Sequence, residues 1–191
     1  MRVRKKNWTK LGIRLFQEPE LNQPVLVAAW PGVGNIALRA ISYLREKLGA
    51  ELFGEIDPHP FFELPGVIIE NNILQTPRFP ENKFFFWRRP QAGRDLIIFL
   101  GETQPSHNTY DFAHRVIDVA QYLGADQVYT IAAALLAEPP ENPRVWATAS
   151  DAEMVAELKA KGAVLQGNFF VAGMNGLLLA VARERGMRGI C

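Results

Sequence analysis

The chain has 191 residues, enough for one well-buried α/β domain and short for two. Hydrophobic residues make up 48% and charged residues 21%, which excludes a disordered or fibrous chain, and the net charge of +1 argues against a broad nucleic-acid footprint. Cys191 is the only cysteine, so no internal disulfide or thiolate zinc site can form, and no apolar run reaches the ~18–20 residues that span a bilayer.

Arg2, Arg4, Lys5, Lys6 and Lys10 crowd the first ten residues, with no apolar core after them. They read as a solvated basic segment (1–23) rather than an export signal, ahead of a core over 24–190 in a cytoplasmic protein. "VLVAAW" (25–30) is a β-rich apolar run bounded by prolines and predicts a buried strand. In the helix expected over 35–48, Ile36, Ala40, Ile41, Leu44 and Leu48 recur at three- and four-residue steps, with Gly49 as the stop. "ELFGEI" (51–56) predicts a strand beside the first, closing a right-handed βαβ unit.

The middle of the chain changes character. "GVIIENNILQ" (66–75) and "NKFFFWRR" (82–89) are β-rich, without helical period between them, and predict a hairpin or meander at one edge of the sheet. "RDLIIFLG" (94–101) is apolar on both faces, as central parallel strands are. A helix over 109–123 places Phe112, Val116, Val119, Ala120 and Leu123 on one side. "DQVYTIAA" (126–133) and "RVWATAS" (144–150) read as strands around the proline-rich "AEPPENP". Ser150 is placed to cap a helix with Asp151 and Glu153 in its first turn and Lys159 and Lys161 in its last. "VLQGNFFVAG" (164–173) predicts strand segments, and a last helix is expected over 175–185. The alternation specifies a three-layer αβα sandwich around a mostly parallel sheet.

Ligands of open parallel sheets bind beyond the carboxyl ends of the strands. The loops expected there are "PGVGN" (31–35), "GETQPSHN" (101–108), "ALLAEPP" (134–140) and "GMNG" (173–176). Gly32, Gly34, Asn35, Glu102, Gln104, Asn175 and Gly176 are therefore the candidate ligand-binding residues. Gly32, Gly34 and Ala37 match a dinucleotide fingerprint only formally, and the P-loop pattern is absent. The glycines serve either the turn itself or an anion on its backbone N–H groups, and the turn is the reading we favour. Glu102 lies near His107 and could act as an acid or base, or hold a neighbouring loop. The three histidines share no metal-ligand spacing, and no serine sits in a nucleophile elbow. No catalytic residue, metal or cofactor is assigned.

"KFFFWRR" (83–89) is the other feature with functional content. Alternation of side chains must turn at least one of Phe84, Phe85, Phe86 and Trp87 away from the main core. That ring needs a covering helix or another subunit, so these four residues are the candidate protein interface.

Taken together, "WPGVGNIALRAISYLREKLGAELFGEIDPHPFFE", "RDLIIFLGETQP", "FAHRVIDVAQYLGADQVYTIAA", "PRVWATASDAEMVAELKAKGA" and "GMNGLLLAVARERG" resemble the archaeal and bacterial branch of the proteasome assembly chaperone family, sometimes labelled ATP-grasp-related. The resemblance runs from about residue 24 to 189, with motif positions at Pro31, Gly32, Gly34, Asn35, Gly101, Glu102, Pro143, Arg144, Asn175 and Gly176. It implies a fold similar to nucleoside phosphorylases, a homo-oligomer and a non-catalytic role with proteasome subunits or another protein client. It supplies no agreed catalytic residues to carry over; the near-neutral charge and the lack of a long apolar run are why no nucleic-acid or membrane partner is expected. Some archaeal relatives end in a flexible hydrophobic-Tyr-any-residue tail; this sequence stops at "MRGIC" without one. The alternative is a small-molecule or phosphate binder, or a nucleoside-phosphorylase-like enzyme, with its site at the carboxyl ends of the parallel strands.

Overall fold

The computed structural model describes residues 7–64, 66–133, 141–142, 144–164, 167–168 and 170–191. Its centre is a seven-stranded mixed sheet. The strands are β1 (Ile13–Leu15), β2 (Val25–Ala29), β3 (Glu51–Ile56), β6 (Asn82–Trp87), β7 (Leu96–Gly101), β8 (Gln127–Thr130) and β9 (Arg188–Ile190), with β4 (Ile69–Glu70) and β5 (Ile73–Leu74) forming a separate hairpin. The spatial order is β1-β3-β6-β7-β2-β8-β9. Strands β7, β2, β8 and β9 run parallel, whereas β6, β3 and β1 are joined by antiparallel pairings.

The order follows from burial. Strands β2 and β7 are apolar on both faces and take the centre, where helices cover both sides. Strand β3 therefore does not lie beside β2 as its sequence position suggests: β7 and β6 stand between them. Half of β3 is solvated, and its Gly54 leaves room for Leu15 of β1, which a Cβ would meet at 2.7 Å. Strand β6 is likewise interior, and only "GVIIENNILQ" leaves the sheet. The stretch before residue 24, expected to precede the core, supplies β1 and the buried Ile13. Arg2, Arg4, Lys5 and Lys6 fall outside the described residues.

Among the described residues the α-helices are α1 (Ile36–Leu48), α2 (Thr109–Tyr122), α3 (Ala152–Ala160) and α4 (Met174–Glu184). The main core joins Leu26, Trp30, Phe53, Phe84, Phe86 and Phe99 to Phe112 and Val116 of α2 and Leu178 and Val181 of α4. A smaller core on the other face joins Ala29, Phe85 and Ile98 to Ala37 and Ile41 of α1. Ile36 and Ala40, expected on the buried stripe of α1, are exposed.

This division corrects the interface expectation. Phe84 and Phe86 belong to the main core, and Phe85 is covered by α1, with the Arg45 guanidinium 5.0 Å from its ring centre. Trp87 is half-buried. The strand satisfies its second face with a helix of its own chain, so the three phenylalanine rings are buried within the chain and only Trp87 keeps an accessible part.

Three local expectations also shift. Asp151, not Ser150, caps α3 by accepting from the Met154 N–H at 2.9 Å, while the Ser150 hydroxyl accepts from the Gly189 N–H. "RVWATAS" makes only isolated bridges, Trp146 to Val164 and Ala149 to Ile190. Of "VLQGNFFVAG", Val164 makes that one bridge, and 165, 166 and 169 lie outside the described residues.

Candidate functional site

The carboxyl ends of β2 and β7 and the start of α4 meet at one rim, as parallel topology requires. "PGVGN", "GETQ" and "GMNG" come together there; "ALLAEPP" lies outside the described residues. Two amide side chains bind the rim. Asn175, buried in the first turn of α4, accepts from the Trp30 N–H at 3.2 Å and donates to the Trp30 carbonyl at 3.4 Å. It pairs with the end of β2 as another strand would. Gln104 donates to the Pro31 carbonyl at 2.7 Å and accepts from the Met174 N–H at 3.0 Å, which caps α4 from a separate loop. The α4 cap residue itself, Gly173, has no side chain to do this.

The glycines make the approach possible. A Cβ at Gly176 would overlap the Val171 carbonyl, and one at Gly101 would overlap the buried indole of Trp30. Gly34 (φ 60°) and Asn35 (φ 52°) are left-handed, and they turn the chain from β2 into α1. Inside this turn the Asn35 N–H donates to the Gly32 carbonyl at 2.9 Å and the Ile36 N–H to that of Val33, while the Asn35 side chain makes no capping bond. Gly32 lies over Asn175, 3.8 Å from its amide nitrogen to an ideal Cβ.

Glu102 points elsewhere. Its carboxylate accepts two bonds from Arg78, each 2.8 Å, and one from the Glu81 N–H at 2.8 Å. The neighbouring Glu81 carboxyl is held below its usual range by the Lys83 ammonium. His107 pairs with Glu63 at 2.7 Å rather than with Glu102 or Asp111. Of the seven predicted ligand-binding residues, Gly32, Gln104, Asn175 and Gly176 thus share one rim, while Glu102 braces the loop before β6.

Beside the rim lies an open hollow of about 550 Å³, lined mainly by Pro105, Val171, Met174, Leu177 and Ala180, with Gln104 at its edge. Its lining is apolar, and Gln104 already spends both ends of its amide on backbone. Among the described residues no group of three His, Cys, Asp or Glu side chains is placed to hold a metal, and no helix is long and apolar enough to cross a membrane.

A second region emerges only from the structure. Val67, Ile68, Ile69, Ile73 and Leu74 on the β4–β5 hairpin are 48–66% exposed, on both of its faces. Asn71 (φ 50°) and Asn72 (φ 63°) form a two-residue turn of the type I′ class, which sets the strands in register with Ile69 opposite Leu74 and Glu70 opposite Ile73. The signal was present in "GVIIENNILQ": aliphatic residues at both parities around Asn-Asn, with no helix pattern nearby to cover them.

Comparison with known proteins adds relatives at the level of the whole chain. The uncharacterized protein MJ1210 of Methanocaldococcus jannaschii is 25% identical over 174 residues, which is 90% of this chain; the chain spans 65% of that relative's length. Pyrococcus furiosus PbaB, an archaeal proteasome activator, superposes with a TM-score of 0.78 at 26% identity, covering 93% of this chain and 77% of PbaB. Pyrococcus furiosus PbaA, an archaeal homolog of proteasome-assembly chaperone, superposes with a TM-score of 0.70 at 21% identity over 93% of this chain and 74% of its own. The PAC2 family model matches residues 26–191, from within β2 through β9, and the chain belongs to the PAC2 family.

Proposed function

We propose that this chain is a non-catalytic, proteasome-assembly-chaperone-like protein that self-associates and binds protein partners, proteasome subunits among them, in the cytoplasm. The observation that carries this reading is a contrast in surface chemistry. The amides of the rim are spent on the chain's own backbone, while five aliphatic side chains of the hairpin face water. Apolar surface of that kind favours a protein partner over a small polar ligand. Membership of the PAC2 family and likeness to a proteasome activator and a proteasome-assembly-chaperone homolog support the same direction.

The test is direct. The purified chain is mixed with proteasome α-subunits and resolved by gel filtration with light scattering. Co-elution, or altered assembly of the α-subunits, is expected; independent elution with unchanged assembly counts against the reading. A phosphate or nucleoside site at the rim would make a different mark. A ligand at 100 times its Kd adds about 2.7 kcal/mol to stability. Phosphate and nucleosides are expected to leave the melting temperature unchanged, because binding there would first have to displace the bonds of Gln104 and Asn175.

A further inference from the structure

We propose that the β4–β5 hairpin is the self-association element: its β5 edge, unpaired among the described residues, pairs antiparallel with the same edge of a second copy. This inference rests on the reading that the chain self-associates, and names the surface that does it.

Backbone geometry supplies the first argument. The Gln75 N–H donates to the Ile68 carbonyl at 2.9 Å inside the hairpin. Hydrogen-bonding direction alternates along a strand, so the N–H and carbonyl of Leu74 point outward, away from β4. Edges of this kind are templates for another strand unless charge, proline or a bulge blunts them. Residues 71–76, Asn-Asn-Ile-Leu-Gln-Thr, contain no charge and no proline; Pro77 comes only after them.

Charge selects the partner. About a twofold axis every residue meets a copy of its own surroundings, so a charged edge would oppose itself. The β5 edge is neutral and tolerates its own copy. Glu70, the only charge in 66–75, lies on β4. In the order β4-β5-β5-β4 its two copies stand three strand spacings apart, about 14 Å at ~4.8 Å per strand. That exceeds the screening length of about 8 Å at physiological salt. Pairing through β4 would instead bring the two carboxylates close together.

Side chains complete the argument. Val67, Ile69 and Leu74 share one face of the hairpin, and Ile68 and Ile73 the other. An isolated two-stranded hairpin is marginal in water, whereas three or more strands with an apolar face are not. Pairing two copies makes four strands and joins the two aliphatic faces into one of six side chains. The Asn-Asn turn presents this edge already in strand geometry.

The experiment measures the solution mass of the full chain by light scattering, for the native protein and for Leu74→Glu, Leu74→Pro and Tyr43→Glu. Leu74→Glu adds charge at the edge; Leu74→Pro removes the outward N–H. Tyr43→Glu alters an exposed aromatic on α1, outside the hairpin. The native chain is expected to be an assembly, both Leu74 variants to associate at least tenfold more weakly, and Tyr43→Glu to match the native mass. Circular dichroism spectra should keep the native shape in all three, since none of these side chains is buried within its own chain. If the native chain is an assembly and either Leu74 variant keeps its mass, edge pairing is overturned while self-association stands. If Leu74→Glu leaves the mass unchanged but abolishes co-elution with proteasome α-subunits, the hairpin is a client surface and the proposal fails. A native chain that is monomeric throughout removes this inference and the self-association reading together.

Discussion

The rim and the hairpin invert each other. At the rim the sequence places polar side chains, and the fold turns them inward: Asn175 and Gln104 hold the backbone of Trp30, Pro31 and Met174, and Glu102 is taken by Arg78. At the hairpin the sequence places aliphatic side chains, and the fold turns them outward. A residue's chemistry alone therefore says little about whether it meets a partner. What matters is whether its own chain has already satisfied it: a spent amide is scaffold, and an uncovered isoleucine is surface. This contrast is why the proposed partner surface is the hairpin and not the rim.

Substitutions at the rim and on the hairpin separate scaffold from surface. Asn175→Ala has the largest expected effect, because it leaves the buried N–H and carbonyl of Trp30 without their partner. Unpaired groups of this kind cost about 1–3 kcal/mol each, so a loss of about 2–4 kcal/mol is expected in chemical denaturation, with a Tm lower by roughly 5–15 °C. A stable Asn175→Ala protein would break the claim that the rim is scaffold. Gln104→Ala comes next: the Pro31 carbonyl and Met174 N–H are only partly buried, and about 1–2 kcal/mol is expected. The same variant, screened with phosphate, should show no gain in binding.

Asp151 sharpens the contrast by supplying a polar clasp at the surface. The Met154 N–H, with Arg188 and Ser150, holds its carboxyl below the ordinary value of 3.8. A depressed folded-state value means its contribution is present above that value and is lost as pH falls through and below it. Asp151→Ala should thus melt slightly lower than the native chain at neutral pH, with the gap closing below about pH 4, a smaller effect than either rim substitution. Ile73→Ser, on the exposed hairpin, should change stability least, within about 0.5 kcal/mol of the native chain. A large loss there would mean that the hairpin is packed against its own chain.

Much of this molecule was legible in advance, for local reasons. The helices over 109–122 and 174–184 and the central strands announced themselves by periodicity and by runs apolar on both faces. The rim loops were legible as well, since in a parallel sheet they must gather at the carboxyl ends of the strands. The partners of Gln104 and Asn175 were not. Each amide reaches about 70 residues or more along the chain, to Pro31 and Met174 in one case and Trp30 in the other, and no local pattern encodes such a distance.

The helices, the central strands and the α/β class thus follow from the sequence, because period, caps and turn residues act over a few neighbours, whereas the short strand β1 and the bridges of Trp146 and Ala149 do not. Only the tertiary structure decided which strands became neighbours, which rings of "FFFW" were covered, and where polar groups were spent. Those outcomes depend on competition for burial across the whole sheet: β2 and β7 take the doubly covered centre, β3 is displaced outward, α1 closes over Phe85, and the hairpin, left without a helix, keeps its aliphatic side chains in water.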